Sequence, residues 1–177
     1  MVYQKAKRKY LIITLMCVLA ILLIVAIFLF SRYRGIDRLY NIESNNIQNI
    51  TVLRTINPSK YDSIELNESE CKTYVNELNK LSVKEVTENA RKKVDSGAGT
   101  LTYIYIIKLK SGQNLQIYVR DEYSQYKILR TSYSDDVDIN QNAKILYFKT
   151  LHKNKFDFYQ SSILFEKNSS RITEILP

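Results

Sequence analysis

The sequence predicts an α+β protein: one N-terminal membrane-spanning helix, then a small domain with a mainly antiparallel sheet and one or two packed helices. Three observations predict it. Leu11 to Phe30 is an unbroken run in which only Thr14 is polar. Residues 66–81 carry apolar side chains at helical spacing behind a capping signature. From about residue 100 onward, short segments of alternating polarity follow one another with short connections.

The apolar run comes first. A helix of that length spans about 30 Å, the thickness of a bilayer's hydrocarbon core. A secretory signal has an apolar region of only about 7–15 residues, followed by small residues at the cleavage site. Here Ile27, Phe28, Leu29 and Phe30 fill those positions. A lipoprotein signal also fails, because Cys17 follows Thr14, Leu15 and Met16. The segment therefore reads as a retained anchor that places the chain in the lipid bilayer through Leu11 to Phe30. Lys5, Lys7, Arg8 and Lys9 precede it, while Arg32, Arg34 and Arg38 follow it with Asp37 partly offsetting them. That bias favours a cytoplasmic N-terminus and a C-terminal domain outside the cell membrane. Tyr3, Tyr10 and Tyr33 sit where interfacial aromatics belong.

The expected organisation is a basic tail over 1–10, the span over 11–30, a juxtamembrane stalk over 31–48 and an extracytoplasmic domain over 49–177. The stalk expectation rests on the polar, Asn-rich stretch GIDRLYNIESNNIQ. A strand is expected over Asn49–Thr55, a turn at Asn57-Pro58-Ser59 and a short strand from Asp62 to Leu66. The clearest helix follows. Asn67 is its N-cap and Glu70 its N3 residue, an Asn form of the capping box. Cys71, Tyr74, Val75 and Leu78 form one apolar stripe at i, i+3, i+4, i+7. Leu81–Val86 reads as a strand and 88–99 as a loop. TLTYIYIIKLK (100–110) is apolar on both faces, as a central strand would be. Strands are also expected over 114–120, 125–131 and 143–149, giving an antiparallel meander. Residues 155–167 are expected to form a helix from the spacing of Phe156, Tyr159 and Ile163.

The formal net charge is +8. Residues 1–34 hold six basic residues and no acid, which leaves 20 basic against 18 acidic residues in the remainder. The excess flanks the anchor and not the domain, which argues against nucleic-acid binding. Cys71 is the one cysteine outside the apolar run, so no disulfide framework exists within the domain.

No motif announces a chemistry. The single histidine, His152, lacks the partners of a catalytic triad. Gly35, Gly97, Gly99 and Gly112 are too scattered to cradle a phosphate. Asp136, Asp138 and Asn140 recur at every second position, like the start of a calcium loop. Gln141 stands where that loop needs Gly and Tyr147 where it needs the bidentate Glu, so a solvated acidic loop is the better reading. No cofactor is expected. Tyr118, Arg120, Tyr123, Tyr126, Lys127 and Arg130 mix aromatic and basic side chains on neighbouring strands, a composition that suits a glycan, an anionic polymer or headgroups. The expected function is a membrane-anchored binding or accessory domain that acts on a cell-envelope component or a membrane protein partner. The alternative is an anchored enzyme using carboxylates or a Ser-Lys pair.

Overall fold

A computed structural model of the chain describes residues 2–57, 60–87, 101–125, 127–134, 144–151 and 154–175. The chain divides into two compact units, Met1–Tyr33 and Arg34–Pro177.

The first unit is the helix α1, Val2–Phe30. It begins well before the apolar run, so the expected tail is helical and continuous with it. Within it Tyr10–Phe30 is long and apolar enough to cross a bilayer, a test that an export signal also passes. Its lone polar side chain is satisfied by the helix itself: the Thr14 hydroxyl donates to the Tyr10 carbonyl at 2.9 Å. None of the run is buried within the unit. An apolar surface on all sides suits a lipid environment.

The second unit is built on nine strands: β1 (Arg34–Gly35), β2 (Ile47–Asn57), β3 (Lys60–Glu65), β4 (Ser82–Glu85), β5 (Thr102–Leu109), β6 (Asn114–Val119), β7 (Ile128–Ser134), β8 (Lys144–Thr150) and β9 (Thr173–Ile175). They form one sheet in the order β1-β4-β8-β7-β6-β5-β2-β3-β9. Every neighbouring pair is antiparallel. The expected meander is its centre, β5 through β8. The β5–β6 turn is closed by Gly112, whose φ of 92° is open to glycine at no steric cost.

Among the described residues, four short or medium helices join the strands: α2 (Ile36–Leu39), α3 (Glu68–Lys80), α4 (Asp121–Gln125) and α5 (Phe158–Lys167). The capping box is present as the sequence predicts. Asn67 Oδ1 accepts from the Glu70 N–H at 2.9 Å, and Glu70 Oε2 accepts from the Asn67 N–H at 2.8 Å. Tyr74 and Leu78 of the predicted stripe are buried, with Cys71 and Val75 partly buried against the core. The helix expected over 155–167 is α5, capped by Asp157, whose Oδ1 accepts from the Gln160 N–H at 2.8 Å.

The strand order explains which face is covered. Strands β3 and β4 lie near opposite edges, so α3 between them crosses the sheet. The connection from β8 to β9 makes the return crossing with α5. Both helices lie on the same side: Tyr74 of α3 meets Tyr105 of β5 at 5.4 Å, and Phe165 of α5 meets Tyr103 at 5.5 Å between ring centroids. The core therefore sits between this face and the helices. It holds Ile50, Val52, Ile64, Tyr103, Tyr105, Ile107, Leu115, Ile117 and Phe148 from the sheet.

Three expectations are corrected. The segment expected as a stalk is folded into this unit: Ile36, Tyr40 and Ile42 are core residues, and Arg34–Gly35 pairs with β4. Three large apolar side chains in an otherwise polar stretch supply the driving force. The strand expected over 125–131 starts later, at Ile128, because Asp121–Gln125 forms α4. A ninth strand, β9, pairs with β3 near the C-terminus. The expected turn at Pro58-Ser59 and the expected loop at 88–99 lie outside the described residues.

Candidate functional site: the open face of the sheet

Cross-strand partners share a face, so the register assigns each side chain. Tyr105↔Ile117 and Ile117↔Thr131 fix the helix-covered side. Ile104↔Tyr118, Tyr118↔Arg130 and Arg130↔Tyr147 therefore lie on the opposite side, which we call the open face. Among the described residues, α4 is the helix that abuts it, through the buried ring of Tyr123. Tyr123 packs with Ile128, Tyr147, Val86 and Tyr118.

The structure sorts the six candidate residues into distinct positions. Tyr118 and Arg130 are directly opposite each other on β6 and β7, and the Arg130 guanidinium stacks 4.1 Å over the Tyr118 ring. Arg120, just past the end of β6, donates from Nε to the Thr102 hydroxyl at 3.2 Å and lies 5.3 Å over the Tyr123 ring. These three form one constellation. Tyr123 packs beside it, in a buried cluster with Ile128 and Tyr147. Lys127 is exposed, in the left-handed region at φ 53°, and faces a separate cleft. Tyr126 lies outside the described residues, as do Asp136, Asp138, Asn140 and His152. Among the described residues no group of three or more His, Cys, Asp or Glu side chains comes together as metal ligands.

Small polar side chains make the floor of the open face. Asn114, Gln116, Ser132 and Ser134 are all buried there, with Asn114↔Ser134 and Gln116↔Ser132 in register. Taller side chains rise around them. Burial pushes the Tyr118 phenol above its ordinary value, Arg130 acts in the opposite sense, and Tyr61 adds to the upward push.

Two cations on this face were not singled out from the sequence. Lys84 of β4 and Lys149 of β8 are directly opposite each other. Lys149 is also in register with Ile128, beside Arg130. Like charges facing across a strand pair are destabilising. Among the described residues, the register places no acidic residue on the open face of β4 through β8. Glu65 of β3 is the acid that shares the face, near the far edge. No sequence signal pairs Lys84 with Lys149, because the pairing exists only through strand register.

Two recesses lie elsewhere. A cleft of about 590 Å³ runs between α4, the start of β7 and α5, and Asp121, Lys127, Asp157 and Tyr159 line it. Both carboxylates there have local duties: Asp157 caps α5, and Asp121 Oδ2 accepts from Gln125 at 3.2 Å. A recess of about 740 Å³ beside the start of α3 is lined by Asn49, Glu65 and Cys71. Burial pushes the Cys71 thiol up, away from the reactive thiolate.

Compared with family models, curated proteins and solved structures, the chain has no match.

Proposed function

We propose that the protein is a membrane-anchored, non-catalytic binding or accessory domain. It is held outside the cell membrane by α1 with its N-terminus in the cytoplasm. Its open sheet face recognises an envelope component or a membrane protein partner. The observation that carries this reading is the constellation of Tyr118, Arg120 and Arg130 on the sheet face opposite α3 and α5. Aromatic rings that hold guanidinium groups in place over a polar floor preorganise a recognition surface.

Topology is tested by fusing alkaline phosphatase after Pro177 and tagging the N-terminus. An active phosphatase on a chain that keeps its N-terminal tag supports a retained, outward-facing anchor; loss of the tag or an inactive fusion overturns it. Recognition is tested by photocrosslinking in intact membranes. A crosslinking residue at Ile145, which is 40% exposed on the open face, should give a discrete adduct that one at Lys80 on α3 does not. Equal labelling from both positions, or none from Ile145, defeats the assignment.

The second reading, an enzyme, is favoured by one feature, the cleft that holds both Asp121 and Asp157. Turnover of any envelope substrate that is lost in Asp121→Asn with an unchanged melting temperature would favour it over the binding reading.

A further inference from the structure

Four cations gather at the β1 edge of the sheet. Arg34 is on β1, Arg38 on α2 directly after it, Lys84 on β4 and Lys149 on β8. Lys84 faces Lys149 across the β4–β8 pair, and β4 is the neighbour of β1. Arg34, Arg38 and Lys149 are exposed, and Lys84 is half-buried. None of the four forms an ion pair with a described carboxylate. The ion pairs among the described residues use Arg54, Lys60, Lys72, Lys80 and Arg171, on β2, β3, α3 and the turn before β9. Two acids are near the edge: Asp37 on α2, and Glu85, which is in register with Phe148 on the covered side. Lys84 and Lys149 are on the open side, where Tyr147 and Ile128 of the buried cluster stand between them and Arg130. The lysine pair is therefore a patch of its own, distinct from the Tyr118 constellation.

We infer that this edge docks on the anionic phospholipid headgroups of the leaflet from which α1 emerges, with Lys84 and Lys149 as the principal contacts. The inference rests on α1 being the retained anchor proposed above. Only Ser31, Arg32 and Tyr33 separate the end of α1 from β1, and four residue steps reach at most about 14 Å. One more strand spacing leads to β4, so chain reach alone keeps the Lys84 backbone within about 20 Å of the end of the span. A headgroup layer about 6 Å deep and a Debye length of about 8 Å cover most of that distance. The tether thus holds lipid phosphates at high effective concentration around the lysines, an advantage no free anion shares. Repulsion between the two ammonium groups is relieved once a phosphodiester lies between them, and each cation near an anionic leaflet adds to the attraction. An ammonium on a flexible stem also suits headgroups that diffuse, since it needs no fixed bidentate geometry. Tyr118, Arg120 and Arg130 stand on or beside strands farther from β1, so lipid contact at the lysines leaves them to the partner.

The test uses the full chain in nanodiscs of phosphatidylcholine, with or without phosphatidylglycerol, both carrying a headgroup spin label. A fluorophore is attached through Thr87→Cys, just past β4, in a Cys17→Ser/Cys71→Ser background. A control fluorophore is attached through Thr173→Cys on β9, at the opposite edge of the sheet. Phosphatidylglycerol should increase quenching at the Thr87 position and not at the Thr173 position. Salt at about 1 M, where the Debye length is about 3 Å, should reverse the increase. The double variant Lys84→Gln/Lys149→Gln should lower the docking equilibrium constant roughly thirtyfold, the loss expected of two charges at an anionic surface. Lys84→Arg/Lys149→Arg should preserve docking. The glutamine variant should melt no lower than the parent in phosphatidylcholine, because it removes a repulsion. Quenching that ignores phosphatidylglycerol, rises equally at both positions or survives the glutamine variant overturns the inference. So does a glutamine variant that loses docking together with melting temperature, since the lysines would then act through the fold. If the Thr87 position stays unquenched while the phosphatase fusion is active and the N-terminal tag is kept, the anchored, outward-facing reading stands and only the lipid contact is wrong. Loss of the tag in cells removes the tether and overturns both.

Discussion

Replacing Glu70 by glutamine tests how the two ends of the folded unit are tied together. Glu70 accepts three hydrogen bonds: from the Asn67 N–H at 2.8 Å, and from Arg171 at 2.9 Å and 3.0 Å. Arg171 also donates to the Glu65 carbonyl at 2.6 Å and to Asn168 at 2.6 Å. One carboxylate thus closes the capping box of α3 and anchors the turn that leads into β9. Glutamine keeps the capping acceptor, so the loss is confined to the charge-assisted pair. Hydrogen bonds to charged groups contribute about 1.5–3 kcal/mol when shielded. The Arg171 and Glu70 side chains are 34% and 25% exposed, which lowers the expected cost to about 1 kcal/mol. For a unit of this size that is a fall of about 3 °C in Tm near pH 7, read by circular dichroism on the full chain in neutral detergent. The pH dependence has a definite sign. The hydrogen bonds from Arg171, with a smaller contribution from the Asn67 N–H, hold the Glu70 carboxyl below its ordinary value. Its contribution is therefore fully present above the unfolded carboxyl value of about 4.3 and is lost as pH falls through the lower folded value. The gap between parent and variant should be intact at pH 6 and shrink as pH falls below the ordinary carboxyl value. A gap that never shrinks with acid, or none at neutral pH, would refute the argument that charge on Glu70 carries the tie.

Other expectations follow from the core. Burial pushes the Tyr40 phenol up to about 12, with its hydrogen bond to Thr131 acting in the opposite sense. Its stabilising contribution is thus complete below the unfolded value of about 10 and disappears as pH rises through the folded value. Ultraviolet titration of wild type against Tyr40→Phe should show one phenol that ionises late; an ordinary midpoint would contradict its burial. Thr131 also donates to the Leu146 carbonyl at 3.3 Å, so Tyr40→Phe leaves it a partner and should cost only about 1 kcal/mol in urea unfolding. Leu78→Ala removes a fully buried side chain under the sheet and should cost about 2–5 kcal/mol, whereas Lys80→Ala on the exposed side of α3 should cost under about 0.5 kcal/mol. Equal costs for the two would mean that the stripe does not face the core. Cys71, with its thiol pushed up by burial, should react slowly with maleimide in the folded chain and at the ordinary rate in urea, measured in a Cys17→Ser background. Fast labelling of the folded chain would refute its shielding.

Local interactions settled what could be read from the sequence alone. The apolar run of α1 needs only its own length and composition. The capping box and stripe of α3 lie within a few residues of one another, as do the alternating segments that became β5, β6 and β8. Tyr118, Arg120 and Arg130 were also visible, because two adjacent strands and a short connection carry them. The rest depends on partners far apart in the chain. Ile36, Tyr40 and Ile42 sit in a segment whose average polarity reads as a stalk, and only the pairing of Arg34–Gly35 with β4 brings it onto the core. Tyr123 looks like its neighbours in sequence, yet α4 turns its ring into a buried cluster with Ile128 and Tyr147. Lys84 and Lys149 meet because β4 returns to the edge of β8 after α3 has crossed the sheet. Side-chain periodicity assigns residues to faces of one strand, but a face shared by four strands exists only once register is set. Register is fixed by the packing of the covered side, and that packing left Lys84, Lys149 and Arg130 on the other.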